Sequence, residues 1–308
     1  MIVILTGGTG GAKLIEGLAA EIDAAAMAVI CNTGDDCVFH GLHISPDIDT
    51  IIYTLAGMSD AQKGWGIKGD TFTVLEQLRR LGNDAWFKLG DKDLATHIAR
   101  TRLLNDGRRL SEVTDQVRRS LGVRATILPM SDDRVETRVA TPGGELSFQE
   151  FFVKRHWAPD VTAVRFAGAE RSRPAPGVLE AIRTAAALVI CPSNPITSIG
   201  PILAVPGVRT ALQETNAPVI GISPIIGDRA VSGPAHKLLA AGGWEISALG
   251  VARGYGDFLD YFFVATEDEG RKNEIAKLGI DAVVTNIRMD DLAGKRRLAR
   301  ELLALIGK

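Results

Sequence analysis

Apolar and polar positions alternate along this chain in long blocks. Residues 2–5 form an unbroken apolar run that stops at Thr6, a cluster of glycines follows, and then Leu14, Ile15 and Leu18 recur at helical spacing. The stretch 2–18, IVILTGGTGGAKLIEGL, therefore predicts a strand, a glycine loop and a helix. A second strand is expected at 27–32 (MAVICN), and others at 187–191, 218–223, 261–266 and 282–286. Helical periodicity appears at 177–186, from Ala235 onward and over 291–306. Strands alternating with helices predict an α/β fold with an open parallel sheet.

The middle of the chain is less regular. Ser45 and Pro46 suit the start of a helix, with Asp47 and Asp49 in its first turn. Asp70 is read as opening an amphipathic helix that buries Phe72, Leu75, Leu78 and Leu81. Asp91 or Asp93 can cap the helix LATHIARTRLL, inside which His97 reads as packing. Ser111 starts EVTDQVRRSL. The alternating segments ETRVATP and ELSFQEFFVK, joined across Gly143 and Gly144, predict a β-hairpin. A hairpin among βα units marks an insertion, so a core formed by 1–106 and 161–308 is expected around an inserted subdomain at 107–160.

Composition narrows the class. The chain has 308 residues, 46% of them hydrophobic, ample for a large core. Its 35 basic and 37 acidic residues are interspersed and give a net charge of −2, which argues against a nucleic-acid partner. No apolar run approaches the roughly 20 residues needed to span a bilayer, and the start lacks a signal-peptide pattern. Three cysteines, Cys31, Cys37 and Cys191, are expected as reduced thiols in a cytoplasm. Cys37, His40 and His43 have only loose metal-ligand spacing and lack a fourth ligand.

Six stretches carry candidate chemistry. Glycines let the backbone approach a ligand, and the helix N-terminus behind them offers free N–H groups to an anion, phosphate above all; the same glycines also serve tight packing. The dinucleotide fingerprint is incomplete, because Lys13 stands where its third glycine would be and the second strand ends in Asn32 rather than an acid. No Ser or Thr follows Lys13, so a P-loop is also absent. The loop 33–50 (TGDDCVFHGLHISPDIDT) carries Asp35, Asp36, Asp47 and Asp49. Asp35 or Asp36 together with Asp49 can converge on magnesium, which takes one or two carboxylates plus phosphate oxygens; helix capping is the plainer role, above all for Asp47. Trp65 between glycines, and Lys88, Asp91 and Lys92 before a helix, are further ligand-facing candidates. Finally, 192–201 and 224–234 each follow a strand as rigid polar Gly/Pro loops, where open parallel sheets bind ligands.

Taken together, TGGTGGAKLIEGL, NTGDD, HISPDIDTIIYTLAG, GWGI, KLGDKDLATHI, LPMSDD, CPSNPITSIGPIL and SPIIGDRAVSGPAHKLL resemble the CofD family, the 2-phospho-L-lactate transferases of coenzyme F420 biosynthesis, over essentially the whole chain. The resemblance implies a Rossmann-like three-layer core with an inserted region, a homodimer, and a magnesium-dependent transfer. A phospholactyl or phosphoenolpyruvyl group would leave a guanosine diphosphate ester for the ribityl hydroxyl of the deazaflavin FO, releasing GMP. Carried over by position, Asp49 and Lys88 match residues that hold the deazaflavin, and Asp35 with Asp49 match the magnesium-binding, catalytic aspartates. The nucleotide would lie against Gly8, Thr9, Gly10, Gly11 and Lys13 and against Ser193, Asn194, Thr197, Ser198 and Gly227.

The chemistry is compatible. Phosphoryl-type transfer needs alignment and positive charge more than covalent help, and no nucleophile set such as Ser–His–Asp is evident. The general base stays open. Asp49→Asn is expected to cut turnover while sparing the fold, since exposed first-turn aspartates contribute only about 0.3–1 kcal/mol. The alternative is a nucleotide-sugar-binding regulatory protein similar to the gluconeogenesis-factor family, which shares the opening loop but differs at NTGDD and PDIDT.

Overall fold

The structure is a computed structural model that describes residues 1–60, 63–231 and 233–307. Strand β1 (Ile2–Thr6) feeds α1 (Thr9–Ala19), and β2 (Met27–Cys31) follows. A short hairpin, β3 (Cys37–Phe39) and β4 (Leu42–Ile44), stands within the acidic loop before α2 (Pro46–Leu55). Helices α3 (Thr73–Arg80), α4 (Asp91–Asn105) and α5 (Leu110–Ser120) lead to β5 (Thr126–Pro129). Next come β6 (Glu136–Thr141), β7 (Gly144–Ser147) and β8 (Ala163–Ala167). The α/β rhythm then resumes with α6 (Val178–Thr184), β9 (Ala187–Ile190), α7 (Gly200–Ala204), α8 (Val208–Glu214) and β10 (Val219–Ile222). A small hairpin, β11 (Ile225–Ile226) and β12 (Arg229–Ala230), precedes α9 (Ala235–Ala241) and α10 (Ala248–Tyr255). The chain closes with β13 (Tyr261–Ala265), α11 (Lys272–Ala276), β14 (Asp281–Thr285) and α12 (Leu292–Ile306).

Seven strands form one sheet in the order β14-β13-β10-β9-β1-β2-β5. Every neighbouring pair is parallel, as in Ile4↔Val29 and Ile4↔Val189. β1, β2, β9 and β10 are buried along their whole length, which explains why they read as unbroken apolar runs. Alternate residues serve opposite faces. Val3, Leu5, Ile30 and Leu188 pack with Val178, Ile182, Leu238 and Leu249 from α6, α9 and α10. Ile4, Val29, Val189 and Ile220 pack with Leu14, Ile51, Val113 and Leu298 from α1, α2, α5 and α12. The result is the expected three-layer Rossmann-like core. From β1 the order runs to β2 and β5 on one side and to β9 and β10 on the other, so the topological switch lies between β1 and β9.

A separate three-stranded antiparallel sheet, β7-β6-β8, stands beside the core. β5 belongs to the central sheet (Ile30↔Leu128), although it falls within 107–160. β8, beyond that range, closes the small sheet (Val139↔Val164).

Two local readings are corrected. The hairpin is present, but its second strand ends at Ser147, and 150–154 coil into a π-helical turn. Ser147 and Glu150 cap each other there (Ser147 N to Glu150 Oε2, 2.9 Å; Glu150 N to Ser147 Oγ, 3.3 Å), and Phe148 stacks on Phe152 at helical spacing. Likewise α3 begins at Thr73, buries only Leu75 among its residues and leaves Leu81 76% exposed. Asp70 does not start it, because its carboxylate receives the N–H groups of Lys92 and Asp93 at the head of α4. Among the described residues no helix is long and apolar enough to cross a membrane.

Candidate active site

Two cavities meet above the carboxyl ends of β1, β2 and β9, where an open sheet binds ligands. One, of about 470 Å³, has an aromatic wall of Trp65, Trp86, Phe87, Phe148 and Phe152, with Lys88 and His156 beside them. The other, of about 290 Å³, runs from Gly10 and Lys13 past Pro192–Ser198 to Pro224, Leu238 and the segment 287–290. Gly8, Thr9, Asp35, Asp47, Phe148 and Phe152 line both and so mark the junction.

The glycine loop is shaped by what presses on it. A Cβ on Gly8 would lie 2.6 Å from Asp47 Oδ1, and one on Gly7 would strike the Ser198 side chain. Gly8 is the N-cap of α1 and has no side chain to offer, so the first amides of that helix are open to a ligand. Gly11 has a different reason: its Cβ would collide with the Thr6 hydroxyl, and it lines neither cavity. Here the packing role of the glycine wins.

Asp47 is the carboxylate the sequence undervalued. Its Oδ2 accepts from Asn32 Nδ2 at 2.9 Å. Burial raises its pKa to about 7, with the charge of Asp36 adding to the rise and the bonds from Asn32 and Gly8 opposing it. Asp35 is also pushed well above the usual carboxylate range, first by burial and then by the charge of Asp47. Asp35 Oδ1 is buried without a hydrogen-bond partner. Two crowded carboxylates, one with an orphaned oxygen, fit a divalent cation. The small sheet and its π-helical turn hold this corner in place: Gln149 Nε2 donates to the Asp35 carbonyl at 3.0 Å and Thr137 N to the Gly34 carbonyl at 2.7 Å. Asp36 faces elsewhere, accepting from Ser45 Oγ (2.6 Å) and paired with His43 Nε2 (3.1 Å). Ser45 therefore spends its hydroxyl on Asp36 instead of capping α2.

Asp49 is not the exposed first-turn residue expected. It is 4% exposed and held by Arg100 through both carboxylate oxygens, Oδ2 accepting from Nη1 at 3.0 Å and Oδ1 from Nη2. His97 Nδ1 lies 3.3 Å from Arg100 Nη1 and 3.7 Å from Asp49 Oδ2. Asp93 completes the cluster, 3.2 Å from His97 Nε2 and accepting from the Tyr53 hydroxyl at 2.6 Å. Burial pushes Asp93 upward, but His97, Tyr53 and Arg100 outweigh it and hold its pKa below the ordinary value. Asp49, Asp93 and His97 have ligand atoms close enough for a metal. The guanidinium of Arg100 already supplies the positive charge there. The network forms the floor of the aromatic cavity, which Asp49, Asp93 and His97 all line.

The remaining predicted residues divide. Lys88 is exposed and lines the aromatic cavity. Gly10, Lys13, Ser193, Asn194, Thr197 and Ser198 line the second cavity, where Lys13 makes no ion pair among the described residues. Ser193 Oγ accepts from Gly7 N at 3.1 Å, and Asn194 Oδ1 caps the turn 195–199 through Ile196 N and Thr197 N, so both also brace the loops. Gly227 lies outside both cavities. It makes the turn between β11 and β12 at φ +64°, and its N–H goes to Asp268 at 3.1 Å. Ser232 of the same loop lies outside the described residues.

A family model described as 2-phospho-L-lactate transferase CofD matches residues 2–302. The chain belongs to the CofD family. It is 47% identical over 312 residues to a phosphoenolpyruvate transferase of Streptomyces griseus subsp. griseus, covering 99% of this chain and 98% of that protein. It is 40% identical over 304 residues to a 2-phospho-L-lactate transferase of Methanococcoides burtonii, covering 99% of each. A crystal structure of a UPF0052 family member from Bacillus halodurans superposes with a TM-score of 0.62 over 98% of both chains; at 17% identity that likeness is one of fold. As a member of the CofD family the protein is a transferase.

Several residues of this CofD site escaped the sequence reading. In the sequence Asn32 reads only as a missing acid. Asp93, His97 and Arg100 fall at i, i+4 and i+7 of α4, one face of a helix, and a buried polar stripe of that spacing was a usable signal. Phe148, Gln149 and Phe152 were hidden by the strand reading, though Ser147-x-x-Glu150 is a capping-box pattern.

Proposed function

We propose that this CofD protein transfers a phosphorylated three-carbon acid, phospholactyl or phosphoenolpyruvyl, from its guanosine diphosphate ester to the ribityl hydroxyl of FO, in coenzyme F420 biosynthesis, with release of GMP. The observation that carries the reading is the pair of unlike cavities sharing Gly8, Thr9, Asp35 and Asp47. The aromatic one suits a flat heterocycle, with Trp86, Phe87 and Trp65 as walls and Lys88 at the side. The other offers helix N-terminal amides and Lys13 to a diphosphate. The names of the relatives in Streptomyces griseus and Methanococcoides burtonii support both three-carbon acids as donors.

In this reading the ribityl hydroxyl attacks the phosphorus that bears the three-carbon acid and gives up its proton to solvent. The bond from that phosphorus to the bridging oxygen breaks, and GMP leaves with the electron pair on its phosphate. Asp35 and Asp47 are the residues that would hold magnesium; Asp49 is left out of the metal site because Arg100 already occupies both its oxygens. Magnesium there would neutralise charge on the phosphate oxygens. Asp49, with both oxygens held by Arg100, anchors the acceptor side together with Lys88. Gly8 and the α1 amides steady the diphosphate, while Phe148 and Phe152, lining both cavities, limit water at the reacting atoms.

The test combines protein, magnesium, FO and each donor ester, with GMP and the coupled deazaflavin measured together. GMP release that requires all four is expected. No release above a protein-free control with either donor would overturn the proposal.

A further inference from the structure

The far end of the second cavity contains a carboxylate that the transfer itself does not use. The segment after β14 brings Ile287, Arg288, Met289 and Asp290 to that wall, which Pro224 and Leu238 also line. Ile287 and Met289 are buried and apolar, whereas Asp290 is exposed and makes no hydrogen bond or ion pair among the described residues. Its neighbour Arg288 does not neutralise it, because Arg288 Nη2 is held by Glu267 Oε1 at 3.0 Å. Nearby Arg297 is paired with Glu301 at 3.1 Å. The carboxylate therefore borders an apolar slot with both oxygens available.

The layout orders a nucleotide along this crevice. The junction at Asp35 and Asp47 lies at one end, beside β2, and the open α1 amides lie in the middle. The base then falls toward the β10 and β14 side, between Pro224, Leu238, Ile287 and Met289. A carboxylate is an acceptor only. Guanine alone among the common bases presents two adjacent donors, N1–H and the N2 amine, which match two carboxylate oxygens. Adenine presents its N1 acceptor at the same place and is repelled.

We propose that Asp290 is the base-selecting residue of this protein, accepting the N1–H and N2 amine of a guanine base. The inference rests on the reading of the second cavity as the nucleotide site. It adds the residue that reads the base.

Calorimetric titration with GDP, ADP and xanthosine diphosphate, each with magnesium, tests it on the wild type and on Asp290→Asn. The wild type is expected to prefer GDP to ADP by about tenfold or more. Asp290→Asn, whose amide presents a donor to the xanthine 2-carbonyl, should lose GDP affinity by a similar factor and gain xanthosine diphosphate, with an unchanged melting temperature. A variant that binds GDP within about twofold of wild type, with the same preference over ADP, would overturn the role of Asp290 and leave the nucleotide site standing. Failure of the wild type to bind GDP at all would overturn the nucleotide reading, and this inference with it.

Discussion

Asn32 Nδ2 donates to Asp47 Oδ2 at 2.9 Å, tying the end of β2 to the first turn of α2 directly behind the glycine loop. The bond favours the carboxylate form, yet burial prevails and the Asp47 pKa rises to about 7. The folded-state value lies above the unfolded one of about 3.9, so the linked stability is full below about pH 4 and is lost as pH rises through about 7. The rise at Asp35 acts in the same direction. Without magnesium, the melting temperature should fall between about pH 5 and about pH 8. Asp47→Asn should flatten that slope and raise the melting temperature at the alkaline end while turnover collapses. Magnesium should stabilise the wild type more than the variant. Melting curves that are level with pH for the metal-free wild type would remove Asp47 from this role.

Arg100 is fully buried and answers both oxygens of Asp49. Removing one member of such a pair strands the other charge, so Arg100→Ala and Asp49→Asn should each cost about 3–5 kcal/mol in urea unfolding. The double variant Asp49→Leu with Arg100→Met should be less destabilised than Arg100→Ala alone, because no charge is left without a partner. If the single variants unfold like wild type, the pair is not the buried bridge described.

Much of this protein was legible before its structure, and the parts that were not share a cause. β1, β2, β9 and β10 announce themselves because strands buried on both faces must be apolar throughout. The glycine loop and the 192–201 loop were placed correctly at strand ends for the same reason. Side-chain partnership is another matter. Asp47 and Asp49 are two residues apart in one helical turn, and nothing local tells which faces the crevice and which meets Arg100, 51 residues away. Leu81 and Asp70 misled for a related reason: α3 takes its start from the Asp91 carboxylate outside itself, and its apolar face finds little to pack against.

The two glycines Gly8 and Gly11 should separate function from folding. Gly8→Ala places a methyl 2.6 Å from Asp47 Oδ1 and should depress turnover and donor affinity more than stability. Gly11→Ala drives a methyl into the Thr6 hydroxyl inside the core, an overpacking change expected to cost about 1–3 kcal/mol. Chemical denaturation alongside kinetics on both variants checks the contrast; equal stability losses would erase it.

On the aromatic side, Trp86→Ala should weaken FO binding by roughly 0.5–1.5 kcal/mol beyond lost contact area. Lys88→Ala should raise the Michaelis constant for FO with little change for the donor. Titration of FO against tryptophan fluorescence gives the binding constant directly. An unaltered FO constant in both variants would move the acceptor out of this cavity.

The exchange of caps between Asp70 and Asp91 reaches further than its surface position implies. Asp70 receives Lys92 N and Asp93 N at the start of α4, while Asp91 receives Thr73 N and Val74 N at the start of α3, each within 3.1 Å. The same α4 turn carries Asp93 to its bond with Tyr53 and begins three residues after Lys88. A deep mutational scan scored on activity would therefore rank Asp70 and Asp91 among the most intolerant positions, and a map drawn from those scores would enlarge the acceptor pocket by two residues that never touch a ligand. The two signatures part under cross-complementation: Asp70 and Asp91 losses should be rescued by lower temperature, and Lys88 losses only by more deazaflavin.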